Sequence, residues 1–524
     1  MSNNKYDLIL KQSKELKYIQ ERDDPPDVLS TIPTLQLKDI DSNGVEYPIE
    51  ISENASNSSA TLLKNHVESS HGIVYIDFGI DVSKVTYDDV ELLPLITSLM
   101  TEGDLANNMT RIDFERQIGK YTGGIYTDLL VLPLLSDVQK DVTISDDAMM
   151  RSMLFLRGKC TLENVEKMLN LFSEMTINAS MNQKDRVITI LESKISKLAG
   201  RIASNGHSYS VRRMHSRYNA KALINENLYG ISQLETLREA VATAENNWEH
   251  LKERLEKIMK IIVDSVGAGT VINVTGDRMA IQAVEGKLRT LMKAFPNGSE
   301  IRKFTDPRTE GHPWALTGKK QLPEKINEGI SVPTQVSYVG EMGLLYEVGE
   351  RASGSSLVPL EYLKKGYLWE RVREQNGAYG VMAGLDRSDG TMYMVSYRDP
   401  TLSDTLDAFN DAADDLIKDL NEGEINKDTI TKTVIGTIGA IDGSALPPDI
   451  IGWTSMIRWM SGESAASRQK VRQEIINTKK SDFLDFANRL KDWRNVSIAV
   501  VGSEANFNHA KDHENVELEV VIAY

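Results

Sequence analysis

Apolar positions around residue 365 follow a helical period and then change to an extended pattern. The apolar residues there recur mostly at steps of three and four, which predicts one buried helix face: Leu360, Leu363, Tyr367, Leu368 and Val372. Asn376-Gly377 is a helix stop signal, and residues 378–385 then show the glycine-spaced apolar pattern of a strand. The pattern therefore predicts a helix, a turn and a strand, and we interpret the rest of the chain relative to this junction.

Two strong hydrogen-bond donors lie at this junction. Arg373 falls in the last predicted helical turn, and Tyr379 falls at the start of the predicted strand. Gly377 and Gly380 lie on either side of Ala378, and their lack of side chains would let another backbone approach closely. From the residues alone, two interpretations stay open. The pair is functional, or the arginine complements the helix dipole and the tyrosine packs in a strand.

The same order of elements occurs twice along the chain. Each copy runs from a helix through a Glu-Arg dipeptide and a glycine turn into a strand, and then through long helices to a closing strand. The matching segments are ERQIGKYTGGIY (115–126), RGKCTL (157–162) and TVINVTGD (270–277) in the first copy, and ERVREQNGAYG (370–380), YRDPTL (397–402) and VSIAVVGSE (496–504) in the second. Their shared order predicts a duplicated α+β unit.

This repeat divides the chain into domains. Residues 31–295 are predicted to form the first α+β domain, and residues 331–524 are predicted to form the second. Residues 296–330 between them are rich in proline and glycine, as is typical of a linker. Within residues 1–30, an amphipathic helix is predicted over Tyr6–Arg22. It would need a partner, because a single helix at the start of a chain cannot bury its apolar stripe alone.

Composition and charge exclude several kinds of partner. The net charge of -16 argues against nucleic acid or an anionic membrane and favours a basic ligand. The longest apolar run, near residues 129–135, is too short to span a bilayer. Acidic residues among the lysines of the first 25 positions lead us to expect no targeting signal in this chain. The single cysteine, Cys160, excludes an intrachain disulfide and fits a reducing compartment.

The eight histidines provide few candidates for a metal site. Neither His-Glu-x-x-His nor its inverse occurs in the chain. His509 and His513 have the i, i+4 spacing, but an aspartate stands where the longer glutamate base would be needed. Few residues follow them that could supply a third ligand. The residues therefore predict no metal site in this chain.

Seven segments together form a collinear set of motifs over nearly the whole chain. They are ERQIGKYTGGI (115–125), RGKCTLENVEKML (157–169), VPTQVSYVGEMG (332–343), SGSS (353–356), LWERVREQNGAYG (368–380), SYRDP (396–400) and IGTIGAID (435–442). In this order they resemble the C-terminal half of the presequence-protease branch of the pitrilysin-type zinc metallopeptidases.

The resemblance implies a fold, a partner and a cofactor. Such enzymes are clamshells of four homologous α+β domains, with mainly antiparallel sheets covered by helices, and this chain would supply two of them. Residues 1–30 would be the end of a helical-hairpin linker, and residues 31–295 the peptidase-associated domain. A zinc-bearing N-terminal half, in the same or a separate polypeptide, would bind the zinc of the complete enzyme. None of that zinc would be bound by this chain.

The resemblance also implies the chemistry of the helix–strand junction. In the family, an arginine and a tyrosine six residues apart reach the substrate at the zinc, and the matching positions here are Arg373 and Tyr379. Gly377, Ala378 and Gly380 would contact the substrate beside them. The family usually has the run GGAYGG at this point, whereas this chain has NGAYGV.

The function implied is the substrate-enclosing half of a zinc endopeptidase that is inactive alone. Its substrates would be targeting presequences and other short, unfolded, preferably basic peptides, in the mitochondrial matrix or a plastid. The alternative is a non-catalytic scaffold or partner subunit of a pitrilysin-type assembly. The presence of both Arg373 and Tyr379 favours the enzyme half, because a scaffold needs neither.

Overall fold

The structure of the protein is a computed structural model that describes residues 3–22, 24–53, 60–107, 109–138, 141–143, 149–299, 310–324, 326–514 and 516–523. Residues 1–41 and residues 42–524 form two compact units. The first unit contains the helices α1 (Asn3–Glu21) and α2 (Pro26–Leu29), which confirms the helix predicted near the start of the chain. The described apolar side chains of α1 are exposed.

Two six-stranded sheets form the framework of residues 42–524. The first half of this unit contains β1 (Glu50–Ser52), β2 (Thr61–His66), β3 (Ile73–Asp81), β4 (Ile125–Pro133), β5 (Ser136–Val138), β6 (Asp141–Thr143), β7 (Met150–Thr161) and β8 (Val271–Gly276). The second half contains β9 (Glu328–Ser331), β10 (Tyr338–Leu344), β11 (Gly380–Leu385), β12 (Thr391–Tyr397), β13 (Arg494–Gly502) and β14 (Glu519–Ile522). Strands β5 and β6 pair only with each other among the described strands.

Five strands occur in the same order in both sheets. The first sheet has the order β1-β2-β8-β3-β7-β4, and the second has the order β14-β9-β13-β10-β12-β11. In each sheet a parallel pair, β2 with β8 or β9 with β13, is followed by three antiparallel pairs. Only the outer strand differs, since β1 is antiparallel to β2 and β14 is parallel to β9. The predicted class, two homologous α+β units with mainly antiparallel sheets, is confirmed.

The helices of this unit lie mainly between the strands of the two sheets in sequence. They are α3 (Leu93–Glu102), α4 (Arg111–Tyr121), α5 (Val165–Ile177), α6 (Lys184–Ser204), α7 (Gly206–His215), α8 (Ala220–Tyr229), α9 (Ser232–Asn246), α10 (Trp248–Ser265), α11 (Arg278–Glu285), α12 (Leu288–Lys293), α13 (Pro313–Gly318), α14 (Leu357–Lys365), α15 (Ser403–Glu422), α16 (Lys427–Asp442), α17 (Pro448–Ser461), α18 (Ala465–Ile476), α19 (Lys480–Lys491) and α20 (Glu504–Glu514). In the described part of the chain, no helix has both the length and the apolar character that crossing a membrane requires.

The segment predicted to be a linker contains more structure than its composition suggested. Helix α13 lies within residues 296–330, and strand β9 begins there, at Glu328. The strand has the sequence EGIS, which is too short and too polar to produce a recognisable strand pattern. The domain boundaries themselves stay predictions.

The two halves of this unit exchange helices. Helix α7 of the first half packs on the second sheet, where Met214 lies in one apolar cluster with Tyr338 and Met342 of β10. Helix α17 of the second half packs on the first sheet, where Met456 shares a cluster with Phe155 of β7. Because each half covers part of the other half's sheet, we expect the two to be stabilised together.

A glycine permits the close approach of α17 to β8. A Cβ atom added at Gly452 would overlap the Thr275 hydroxyl group, so Gly452→Ala is expected to lower the free energy of unfolding by about 1–3 kcal/mol. The matched control is Gly439→Ala in α16, where a Cβ would meet no atom within 4 Å. That variant should raise the free energy of unfolding by up to about 1 kcal/mol. Urea denaturation measures both, and equal effects would contradict the packing argument.

Candidate functional site

The predicted helix, turn and strand are all present at the junction, but the helix changes type. Helix α14 ends at Lys365, and Trp369–Gln375 forms a π-helix. The Asn376 amide donates to the Arg371 carbonyl, five residues back, at 3.1 Å. The α-helical spacing of the apolar residues gave no sign of this wider turn. π-Helical turns are rare, and they occur frequently at functional sites.

The π-helix and the turn bring the two predicted donors together. The Cζ atom of Arg373 lies 4.1 Å from the centroid of the Trp369 ring and 5.8 Å from the centroid of the Tyr379 ring. The indole of Trp369 is itself fixed, because its Nε1 donates to Glu374 Oε1 at 3.0 Å. Two aromatic rings therefore position the guanidinium by cation–π contact. We call Arg373 and Tyr379 the donor pair.

Both members of the donor pair have hydrogen-bond donors to spare. The Tyr379 amide donates to the Tyr397 carbonyl at 3.0 Å, and the two rings meet edge to face with their centroids 5.8 Å apart. The Tyr379 side chain is nevertheless 66% exposed, so it is not packed inside a strand. Among the described residues, none accepts a hydrogen bond from the Tyr379 hydroxyl or the Arg373 guanidinium. The pair is ordered by ring contacts while its donors stay available to a ligand.

The three small residues beside the pair have different surroundings. Gly377 adopts φ +83°, a conformation that glycine reaches without strain, and so it shapes the turn. Ala378 is 3% exposed and packs inward. Gly380 begins β11, the outermost strand of the second sheet, and a Cβ there would approach only Tyr397 Cβ, at 4.0 Å. The place of these residues in substrate contact stays a prediction, and Gly380 is the one that lies at an open sheet edge.

An aromatic row behind Tyr379 connects it to the first half of the unit. The Tyr397 ring lies 4.9 Å from the His207 ring and 5.7 Å from the Tyr338 ring, measured between centroids. The Tyr338 hydroxyl donates to the Ala203 carbonyl at the end of α6, at 3.0 Å. Burial lowers the pKa of His207, so this imidazole is held neutral. The row supports Tyr379 from behind with groups that keep one charge state.

Sequence reasoning assigned no part to Trp369, Tyr397 or His207. Trp369 and Tyr397 lie inside two of the quoted motifs, so a search for aromatic residues near Arg373 could have found them. His207 had no such signal, because its contact with Tyr397 joins residues far apart in the chain. Only the packing of α7 on the second sheet brings it there.

The duplicated unit carries the donor pair in one copy only. When the Glu-Arg dipeptides of the two copies are aligned, the positions of Arg373 and Tyr379 correspond to Ile118 and Gly124. Ile118 packs against the apolar core of the first half, and Gly124 adopts φ +111°. The first copy thus uses the same turn for packing.

One group of described side chains has the composition of a metal site, but it does not fit zinc. His215, Asp386 and Asp389 offer ligand atoms within 4.8 Å of one another. The ammonium of Lys221 already lies 3.5 Å and 3.4 Å from the two carboxylates. Although burial opposes it, His215 and Lys221 lower the pKa of Asp389, so these groups neutralise each other. The side chain of His513, in the C-terminal histidine pair, lies outside the described residues.

Two family models match successive parts of the chain. Residues 1–239 match the model of the peptidase-associated region of M16 peptidases, subfamily C, and residues 327–504 match "PreP C-terminal domain". The chain is 29% identical over 508 residues to presequence protease 1, chloroplastic/mitochondrial, of Arabidopsis thaliana, which covers 97% of this chain and 44% of that protein. It is 24% identical to the mitochondrial presequence protease of Saccharomyces cerevisiae, over 88% of this chain and 44% of that protein. The chain spans about half the length of these curated relatives.

Solved structures with the same fold include separate M16 domains. A peptidase M16 inactive domain from Pseudomonas fluorescens superposes with a TM-score of 0.55 and 13% identity, covering 90% of this chain and all (100%) of that chain. A protease from Helicobacter pylori gives a TM-score of 0.54 and 12% identity, covering 87% of this chain and 100% of that chain. These likenesses show the fold. Together with the family models and the presequence-protease relatives, they confirm the resemblance: the chain belongs to the M16 peptidase family, as a presequence-protease-like C-terminal half.

Proposed function

We propose that this chain is the substrate-enclosing half of a zinc metalloendopeptidase that degrades targeting presequences and other short unfolded peptides. The observation that carries the proposal is the donor pair, which is fixed by ring contacts yet keeps its hydrogen-bond donors free at an open sheet edge. The peptidase relatives support the reaction class. A domain that served only as a scaffold would have no use for two such donors.

The chemistry of peptide hydrolysis gives the donor pair its part. Attack on the scissile carbonyl turns its oxygen into an oxyanion, which is stabilised by donors that are already in position. The Arg373 guanidinium stays charged at every physiological pH and presents a planar fork of N–H groups. The Tyr379 hydroxyl would add a neutral donor. Because the turn, Trp369 and Tyr397 already hold both side chains, little reorganisation would be needed during the step.

The remaining chemistry would come from a partner. Zinc and the group that activates water would belong to an N-terminal half, in the same or a separate polypeptide, because the candidate cluster among the described residues here does not fit zinc. The compartments named for the Arabidopsis and yeast relatives make the mitochondrial matrix or a plastid the expected location. The net charge of -16 would attract basic peptides.

A reconstitution experiment tests this function. The chain is combined with a zinc-bearing N-terminal half, and hydrolysis of a fluorogenic, arginine-rich peptide is compared with that of an acidic peptide of equal length. We expect turnover only when both halves are present, and a preference for the basic peptide that weakens with added salt. Hydrolysis by this chain alone, or a complex no faster than the N-terminal half, would contradict the proposal. Equal rates for the two peptides at low salt would contradict the electrostatic part alone.

A further inference from the structure

A cleft in the first half of the molecule is lined by residues other than those around the donor pair. It has a volume of about 490 Å³, within the range of small-ligand sites. Its walls are formed by α3, β4 and the helices α6 to α9. Nothing in the proposed reaction uses it.

The charge of this cleft is opposite to that of the whole chain. Four cationic side chains line it, Lys194, Lys197, Arg201 and Arg212, together with two acidic ones, Glu102 and Asp128. The lining therefore carries a net charge of +2, whereas the chain carries -16. A positive cleft on an acidic protein selects anions locally, even though the protein as a whole repels them.

The two acidic side chains are already paired with arginines outside the cleft. Arg186 Nη2 lies 3.9 Å from a Glu102 carboxylate oxygen, and Arg157 Nη1 lies 3.5 Å from an oxygen of Asp128. Arg212 does donate within the cleft, to the Tyr229 carbonyl at 2.8 Å. The positive charge of the lining is thus not cancelled by its own carboxylates.

The other three cations keep their donors available. In the part of the chain that the structure describes, Lys194, Lys197 and Arg201 make no side-chain hydrogen bond and no ion pair within 4 Å. Burial, together with the charges of Lys197 and Arg201, lowers the pKa of Lys194 in spite of the attraction of Glu102. An anion beside this ammonium would offset the cost of burying it.

The rest of the lining indicates an organic anion. Buried leucines from three elements, Leu129, Leu228 and Leu237, share the walls with the cations. The Tyr209 hydroxyl adds a neutral donor, and burial raises the pKa of Tyr209, which keeps it protonated. A cleft of this size with apolar walls suits a carboxylate on an apolar stem better than a bare inorganic ion.

We propose that this cleft binds a carboxylate, and that the free C-terminus of a peptide supplies it. The proposal rests on the function proposed above, since it takes the substrate to be a peptide. It adds a second point of recognition, one that reads the end of the peptide and not the bond to be cut. Basic peptides fit both features, because their side chains suit the acidic protein while every unmodified C-terminus carries a carboxylate.

Binding to the 524-residue chain tests the proposal directly. Fluorescence anisotropy compares a short labelled peptide that ends in a free carboxylate with the same peptide ending in a carboxamide. We expect the acid to bind about tenfold or more tightly, as for one charge-assisted contact. Lys194→Met removes the ammonium but keeps most of the stem, and it should reduce the acid to the affinity of the amide. Lys260→Met is the matched control, since Lys260 is an exposed lysine of α10 paired with Asp264, and it should keep the preference.

Further arms separate the other outcomes. Arg201→Gln removes an exposed cation of the cleft, so it should fold normally and reduce the preference severalfold even if Lys194→Met does not fold. Equal affinities for acid and amide, or a preference that survives both variants, would overturn the proposal. Inorganic phosphate that binds saturably without an acid preference would assign the cleft to free anions, which also overturns it. The hydrolysis assay of the reconstituted enzyme decides the proposed function separately, because turnover without an acid preference contradicts only the cleft.

Discussion

Replacing Tyr379 with phenylalanine is expected to lower kcat/KM for peptide hydrolysis by about 100- to 1,000-fold in the reconstituted enzyme, as for the loss of one oxyanion donor. The substitution removes only the hydroxyl group. The ring contact with Tyr397 and the cation–π contact with Arg373 are kept. Because the side chain is 66% exposed, the free energy of unfolding should change by less than about 0.5 kcal/mol. Steady-state kinetics and urea denaturation of the same preparations separate these two effects.

Two further variants make this prediction specific. Arg373→Lys keeps the charge but loses the fork of N–H groups, so it should retain only part of the activity. Tyr126→Phe is the matched control, because Tyr126 is also an exposed tyrosine with an arginine over its ring, Arg157 Cζ at 5.2 Å from the centroid. It lies in the first half, and its loss should leave turnover unchanged. If Tyr379→Phe turned over peptide like the parent, the donor pair would have no catalytic part, and the scaffold alternative would gain support.

The junction itself could be predicted because its signals are local. The apolar period of the helix, the Asn-Gly stop and the glycine-spaced strand each depend on neighbouring residues, and the structure has all three elements in that order. The π-helix at Trp369–Gln375 could not be predicted, since the same apolar residues also satisfy an α-helical period. The duplicated unit was visible for a similar reason. The repeated order of elements reflects the repeated order of five strands in the two sheets.

What sequence reasoning missed depends on contacts between distant segments. The ring contact of His207 with Tyr397 joins the two halves of the unit, and so does the packing of α7 on the second sheet. No period or spacing near either residue indicates such a contact. The positive cleft was missed for the same reason, because its cations are spread over α6 and α7 and are outnumbered in the composition by acidic residues. Net charge describes the average surface and not a particular cavity.

The same exchange of helices places a buried ion cluster between the halves, and its loss should have the largest effect on stability. Glu328 of β9 is buried, and Arg213 of α7 donates to both of its carboxylate oxygens at 2.8 Å. Arg217 Nη2 adds a third contact at 2.6 Å. Glu328→Gln would leave one buried and one partly buried guanidinium group without their counter-charge. We expect it to lower the free energy of unfolding by about 3–5 kcal/mol, measured by urea denaturation at neutral pH.

The pH dependence of that loss distinguishes charge from packing. Burial opposes it, but the hydrogen bonds and charge of Arg213 and the charge of Arg217 lower the pKa of Glu328 below its ordinary value of 4.5. A depressed carboxyl pKa contributes stability that is present above the unfolded pKa and is lost as pH falls through the folded pKa. The difference between the parent and Glu328→Gln should therefore be constant above about pH 5.5 and shrink as the pH is lowered below 4.5.

An exposed ion pair provides the control for this cluster. Glu115 receives a hydrogen bond from Arg111 at 2.8 Å on the surface of α4, and Glu115→Gln should cost less than about 1 kcal/mol. Since solvent screens that pair and each partner is hydrated alone, its loss leaves no buried charge behind. A cost for Glu328→Gln as small as this, or one that does not change between pH 7 and pH 4, would show that the halves are held by apolar packing and not by the cluster. The expected result would instead identify the contact between α7 and β9 as the point at which acid first separates them.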